Sequence, residues 1–384
     1  MDSAFPPSPR LQDCPPTLPV RAYVCPQWYD RERRAIWWRE WVMVGRVADL
    51  PKGGMRSLTV AGAPVVVVRH EDGGVSAFHN ACRHRGAELC PVGDRPAGRL
   101  ITCPYHAWAY SAKDGRLVST GHAHPTPDFV RDDHGLILVA TYIWRGFLFL
   151  SLSPEPPPFA PDLGEGALAN WPMDGLVTGH RHVRELQCNW KVFWENYNEC
   201  LHCPGIHPEL CDMVPVYKRG LVSAGEAEGY VPGDALASPL KEGARTWTFG
   251  GAPCGPEFPG LTEAERQAGF TFVTIYPTAY IVAHVDYVRA VRLEPTGPAT
   301  TRLTAEWYFP PETLAQPGFR AQTVAEFAML VLEQDAEAAE MNQRGFASPA
   351  YQRGTLMPEE FDIRRFHQWV MDRLPGEREG GEPA

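Results

Sequence analysis

The sequence predicts an α+β protein in two domains: a small antiparallel β domain, then a mixed domain whose strands precede one long helix. Two observations carry that expectation. Short alternating segments separated by Gly- and Asp-rich turns fill the chain to about Leu152, and a proline-rich stretch runs from Ser153 to Gly164. Beyond it, strand-like segments give way near Gly318 to a long amphipathic helical pattern. Prolines at that density continue neither helix nor sheet, so Ser153–Gly164 reads as a linker. The expected boundaries are 1–39 for an N-terminal arm and helix packed on the second domain, 40–155 for the first domain and 160–384 for the second.

The elements follow in order. The first twenty or so residues are rich in proline and read as an extended arm, and YDRERRAIWWREW, from Tyr29, reads as a helix. PVVVVRHEDGGVSAFHN, from Pro64, is a strand broken at Asp72-Gly73-Gly74 and resumed, which makes a β-hairpin. RLIT from Arg99 and HAWAYSAKDGRLV from His106 give another strand and turn. In the second half, strands are expected over GFTFVTIYPTAYIVAHV from Gly269, YVRAVRLEP from Tyr287 and TTRLTAEWYFP from Thr300. Neither an internal repeat nor a low-complexity tract is evident. GEGALA at Gly164 imitates a dinucleotide fingerprint but follows prolines rather than a strand, so no nicotinamide or flavin site is expected.

Composition narrows the function. A chain of 384 residues with 44% hydrophobic and 21% charged residues suits two ordinary globular domains, and a net charge of −10 argues against nucleic acid or an anionic membrane surface as partner. The N-terminus lacks the apolar core of a secretory signal, and the longest apolar run, GFLFLSL, is too short to span a bilayer, so a cytoplasmic protein is expected. Ten scattered cysteines then read as reduced thiols rather than a disulfide framework.

Chemistry concentrates in two places. Cys82 and His84, written CRH, are followed after eighteen intervening residues by Cys103 and His106, written CPYH. Each pair sits on a loop beside a strand, as a Rieske two-iron two-sulfur cluster requires, with two thiolates on one iron and two imidazoles on the other. A Cys2His2 zinc site uses the same donors, but its histidines normally stand together on a helix. Cys90, inside the interval, reads as a small buried hydrophobe.

A cluster that passes single electrons needs an acceptor. NWKVFWENYNECLHCPGIHPEL, Asn189 to Leu210, has a helical pattern carrying Glu195, Asn196, Glu199, His202 and His207. Five residues on a regular helix would splay the two histidines by about 140°. Pro204 and Gly205 stand between them and are expected to break the helix, letting His207 swing back toward His202. The later helix TVAEFAMLVLEQDAEAAEMNQRG has an apolar stripe of Val324, Phe327, Val331, Ala338 and Met341, and Asp335 falls on that stripe while Glu333, Glu337 and Glu340 lie off it. A carboxylate aimed into a core needs a cation, either a basic side chain or a metal. With His202 and His207 it would complete a two-histidine, one-carboxylate triad for ferrous iron. Cys200 and Cys203, spaced like a redox dithiol, are a weak signal inside a helical pattern. His79, His122 and His124 could support a site or be ordinary loop histidines.

Both regions resemble the Rieske non-haem iron ring-hydroxylating oxygenases. The resemblance rests on N-A-C-R-H-R-G-A-E-L-C from Asn80 to Cys90, C-P-Y-H-A-W from Cys103 to Trp108, and E-N-x-x-[DE]-x-x-H-x-x-x-x-H from Glu195 to His207. It spans nearly the whole chain, and the interval between the cluster pairs is slightly longer than usual for the family. The resemblance implies an antiparallel Rieske domain and a helix-grip catalytic domain whose curved sheet wraps the C-terminal helix. It implies one [2Fe-2S] cluster, one mononuclear Fe(II) held by His202, His207 and Asp335, dioxygen as co-substrate and a separate NAD(P)H-dependent flavin or iron-sulfur reductase, or a ferredoxin. It further implies a homotrimer in which Glu199, beside Asn196, links His106 of one chain to the iron-ligand histidines of the next. From the residues alone, Glu199 could equally be an exposed helix residue.

NYNECLHCPGIHPEL looks closest to the branch acting on betaines, carnitine and choline by hydroxylation or N-demethylation. Phe270, Phe272, Tyr276, Tyr280 and Tyr287 could cage such a cation or simply fill a core. Dioxygenation of an aromatic acid or ring is the alternative. A non-catalytic Rieske carrier is a third reading, weakened by more than two hundred residues beyond the cluster domain.

Overall fold

The computed structural model describes residues 10–91, 93–223 and 239–374. Short helices α1 (Arg21–Val24) and α2 (Pro26–Glu32) lead into a π-helical turn over Arg33–Trp37. Strands β1 (Val42–Arg46), β2 (Gly54–Val60), β3 (Ala63–Arg69), β4 (Val75–His79), β5 (Gly93–Pro96), β6 (Leu100–Thr102), β7 (Ala109–Ser111), β8 (Leu117–Ser119), β9 (Leu138–Trp144) and β10 (Phe147–Ser151) follow. The rest comprises β11 (Val177–Leu186), α3 (Trp190–Tyr197), α4 (Cys203–Ile206), α5 (Pro208–Met213), α6 (Glu263–Ala268), β12 (Phe270–Ile275), β13 (Ala279–His284), β14 (Val288–Gly297), β15 (Thr300–Phe309), α7 (Pro311–Leu314), α8 (Ala321–Gly345) and α9 (Phe361–Asp372). The fold is α+β. Two compact units emerge: residues 37–165 with 275–279, and residues 1–36, 166–274 and 280–384.

The first unit holds a sheet ordered β1-β10-β9-β4-β3-β2-β5 and a smaller one ordered β6-β7-β8. Four consecutive valines, Val65 to Val68, are buried because β3 is covered on both faces. The expected hairpin pairs Val65 with His79 and turns at Gly73, whose φ of 92° suits glycine.

In the second unit, five strands run β11-β15-β14-β13-β12 and α8 packs on one face. Register fixes that face. His182 and Arg184 of β11 pair with Ala305 and Leu303 of β15, and both reach Glu333 of α8. Cross-strand partners share a face, so Arg289, Val291 and Leu293 of β14, opposite Trp307, Ala305 and Leu303, also face α8.

Helix α8 carries the expected stripe only in part. Val324, Phe327 and Val331 are buried, but Met341 is 59% exposed and the buried line moves to Ala336, Ala339 and Gln343. A 3.6-residue period drifts off a strict 3,4 spacing over a helix this long. Glu333 and Glu340 are drawn into ion pairs with Arg184, while Glu337 stays exposed. Lys191 and Glu32, both fully buried, form an ion pair of 2.6 Å. Trp28 and Trp190 indoles also donate to Glu32, so α2 is fastened to α3 through a satisfied polar network. No helix among the described residues is long and apolar enough to cross a membrane.

Candidate metal centres

The two Cys/His loops are built alike. Cys82 N donates to Ala87 O (2.8 Å) and Gly86 N to Cys82 O (2.9 Å); Cys103 N donates to Trp108 O (2.7 Å) and Ala107 N to Cys103 O (3.1 Å). Each loop therefore closes between its cysteine and the fifth residue beyond. Both cysteines are buried, whereas His84 is exposed and His106 half-buried. The imidazoles meet edge to face at 4.8 Å, and His84 stacks on Trp108 at 4.7 Å.

Burial pushes the Cys82 thiol up and contact with Cys103 adds to this, while the Tyr110 hydroxyl, 3.1 Å from Cys82 Sγ, opposes them. Two soft donors facing inward and two imidazoles facing outward fit a [2Fe-2S] cluster better than a closed tetrahedral zinc site. Gly121 reinforces the second loop: a Cβ there would lie 2.4 Å from the His106 carbonyl oxygen. Cys90 is a core residue, and His122 and His124 are exposed.

The second constellation is His202, His207 and Asp335, whose ligand atoms all lie within 4.8 Å of one another. Asp335 Oδ1 is 2.8 Å from His207 Nε2 and 3.5 Å from His202 Nε2. Both Nδ1 atoms point away and are engaged, His202 by Glu199 and His207 by Gln334 Oε1 at 2.8 Å. Gln334 Nε2 in turn donates to Glu209 at 3.1 Å. A Nδ1 proton held by an acceptor leaves Nε2 free for a metal, the usual outer support of a metal-binding histidine. Burial would lower the His202 pKa, but Asp335 and Glu199 outweigh it and push the imidazole up to about 9. Burial would raise Asp335, and the two imidazoles hold it below the usual carboxylate range instead. The site thus already concentrates positive charge where a divalent cation would replace a proton.

The expected break in the helix lies earlier than Pro204-Gly205. Helix α3 ends at Tyr197, and both residues sit inside the single turn α4, where proline in a first turn costs no hydrogen bond. Glu199 and His202 therefore belong to a loop rather than a helix. Glu199 also accepts from the Leu201 amide, and Asn196 Nδ2 lies 3.4 Å from His202 Nε2. In that loop Cys200 and Cys203 are joined as a disulfide, with Cα atoms 5.0 Å apart, which corrects the expectation of reduced thiols throughout. A separation of three residues puts the two Cα atoms within disulfide reach in this turn.

Of the aromatic candidates, Tyr280 lies 4.3 Å from Tyr197, and Phe270 and Phe272 gather around Trp247 at 5.0 and 5.9 Å. Tyr287 instead stacks on His284 and Phe309. Tyr276 lies in the β12–β13 turn, within residues 275–279 of the other unit. Sequence reasoning missed Gln334, adjacent to a residue it singled out, and Trp247, which lies outside every periodic segment.

Residues 40–136 match the Rieske [2Fe-2S] domain family, and residues 173–376 match the ring hydroxylating alpha subunit (catalytic domain) family. The chain is 31% identical over 397 residues to the glycine betaine monooxygenase oxygenase subunit of Chromohalobacter salexigens, covering 96% of this chain and 88% of that one. It is 31% identical over 210 residues, 53% of this chain and 55% of the relative, to the carnitine monooxygenase oxygenase subunit of Acinetobacter baumannii. A solved quaternary ammonium Rieske monooxygenase in complex with L-carnitine shares the fold, with a TM-score of 0.67 at 21% identity over 94% of this chain and 96% of that chain.

Proposed function

The chain belongs to the Rieske ring-hydroxylating oxygenase family, and from that premise we propose that it hydroxylates, or oxidatively N-demethylates, a small quaternary ammonium compound. It is an oxidoreductase that uses dioxygen, a [2Fe-2S] cluster and mononuclear iron, and it depends on a reductase. We assign the cluster to Cys82, His84, Cys103 and His106, and the iron to His202, His207 and Asp335. The observation that carries the substrate is the aromatic wall of Tyr197, Tyr280, Phe272 and Trp247. Such a wall attracts a cation that no hydrogen bond can hold, and the names of the relatives point the same way.

When bound, the iron supplies the binding and reduction of dioxygen, and the cluster supplies single electrons. The chain's own residues do the remaining work. Glu199 and Gln334 keep a proton on each Nδ1 so that both Nε2 atoms face Asp335. The aromatic side chains hold the cation and exclude water. One N-methyl C–H becomes C–OH while dioxygen takes two electrons and two protons to yield water; loss of formaldehyde then gives the tertiary amine and a proton.

Electrons are inferred to come from an NAD(P)H-dependent flavin or iron-sulfur reductase, or a ferredoxin, and a cytoplasmic setting is proposed with them. A homotrimer in which Glu199 faces His106 of a neighbouring copy would carry them to the iron. The same wall would also accept an aromatic ring, so oxidation of an aromatic acid is the second reading.

The test is metal and sulfide content of anaerobically purified protein, followed by turnover of glycine betaine, carnitine and an aromatic acid with a reductase. About three irons and two sulfides per chain are expected, with formaldehyde released from a quaternary ammonium substrate. His202→Ala, His207→Ala and Asp335→Ala should each lose about one iron and all turnover while keeping the sulfide and the visible spectrum. Full activity of the Asp335 variant, or oxidation of the aromatic acid alone, would overturn the assignment.

A further inference from the structure

Arg289 is 3% exposed, and its Nε and Nη1 have no hydrogen-bond partner. Among the described residues it forms no ion pair: Asp286, buried and three positions earlier, spends its oxygens on Thr246 Oγ1 (2.8 Å) and the Cys254 amide (2.6 Å). An arginine cannot escape this by losing its proton, so a buried guanidinium without an acceptor is costly. What surrounds it is aromatic: Cζ lies 5.8 Å from the Trp247 ring and 6.0 Å from the Tyr280 ring.

Two further buried polar groups at the same place are also unpartnered. Trp247 Nε1 has no acceptor, and neither ring nitrogen of His284, 5.6 Å from the Trp247 ring, has a partner. Burial holds His284 well below its ordinary pKa, with Arg289 adding to the effect, so it is a neutral imidazole with one N–H to offer. Native interiors seldom leave such groups unsatisfied, and three of them within one set of ring contacts point to an acceptor from outside the chain. Register places Arg289 on the sheet face toward α8, the helix that carries Asp335. Tyr280, next to Arg289, also packs 4.3 Å from Tyr197, the last residue of α3 and the neighbour of Asn196, which reaches His202.

We propose that Arg289, with the Trp247 indole N–H and His284, is the anchor for a substrate carboxylate. This rests on the quaternary ammonium reading and sharpens it: the substrate is a zwitterion with its carboxylate at Arg289 and its ammonium methyls against Tyr280, toward Asp335. An alcohol such as choline presents the same cation without the anion that this corner lacks. Arg289 and Trp247 thereby become specificity-determining residues.

The experiment is calorimetric titration of the full-length, iron-loaded protein, kept anaerobic and without reductase, with glycine betaine, choline and benzoate. Glycine betaine should bind at least about tenfold more tightly than choline, the scale of one charge-assisted contact. Arg289→Gln should erase that preference, weakening glycine betaine by on the order of thirtyfold while choline binding is unchanged. Trp247→Phe, which keeps the ring and loses the N–H, should weaken glycine betaine selectively.

The ligand-free Arg289→Gln protein should unfold at a temperature no lower than the parent, because a costly charge has been removed. A marked fall would identify a structural role and overturn the proposal. Equal binding of glycine betaine and choline in parent and variant would overturn the anchor and leave the quaternary ammonium reading standing. Arg289-dependent binding of benzoate without either quaternary cation would uphold the anchor and remove that reading.

Discussion

Gly86 and Ala107 hold the same place in two loops of different sequence. Each is the fourth residue after its cysteine, each has a left-handed backbone with φ of 76° and 56°, and each donates its amide to the cysteine carbonyl. The position suits glycine, and alanine pays about 1 kcal/mol there. A β-branched residue cannot take it without unwinding the loop. Gly86→Val or Ala107→Val should therefore lose most of the cluster, read as acid-labile sulfide and visible absorption. Ala107→Gly should retain it with stability changed by no more than about 1 kcal/mol.

Gln334 orients His207 from the residue next to Asp335. Gln334→Leu keeps the shape and leaves the Nδ1 proton without its acceptor. Iron affinity should fall about 10–100-fold, measured by competition with a chelator, while the sulfide content stays constant. Gln334→Glu, which retains an acceptor, should recover most of the loss. Unchanged affinity in the leucine variant would remove Gln334 from the support of the site.

Iron loading should depend on pH through His202. In metal-free protein this imidazole is raised to about 9 by Asp335 and Glu199 against the effect of burial, so below that pH a metal must displace a proton. Apparent iron affinity should rise with pH up to about 9. The same shift acts on stability with the opposite sign. The folded-state pKa exceeds the ordinary value of 6.5, so the contribution is complete below about 6.5 and lost as pH climbs through 9. Thermal unfolding of chelator-treated protein across that range checks both directions; a flat profile would contradict them.

Lys191→Met should strand the fully buried carboxylate of Glu32 and cost about 3–5 kcal/mol, seen as a lower unfolding temperature. Lys191→Met with Glu32→Gln should recover much of that, because no buried charge is left unpaired. The double variant tests whether the pair stabilises the contact between α2 and α3 or simply satisfies itself.

Much of the fold was legible because its signals are local. The valine run and the Asp72-Gly73-Gly74 turn specify a hairpin within a few residues, and the proline-rich linker separates two blocks of strands. Each Cys/His pair lies on its own short loop, so the four cluster candidates could be named before any long-range contact was known. Asp335 stood out as a carboxylate on an apolar stripe. Strand β11 and helix α9 were not foreseen. In HVREL only Val183 and Leu186 are apolar, three positions apart, so neither an alternation nor a β-branched run marks a strand, and the pairing with β15 decides it.

The sequence by itself determined the chemistry that short spacing encodes: which cysteines and histidines can share a cluster, which histidines stand near each other, and which carboxylate is out of place on its helix. Only the tertiary structure decided where helix α3 stops, which acceptor holds each Nδ1 proton, that Cys200 meets Cys203, and that Trp247, His284 and Arg289 converge. Those relationships join residues up to more than a hundred positions apart, through sheet register and helix packing. Spacing along a chain carries no record of which buried donors will face one another across a core, or of whether an acceptor will be left for them.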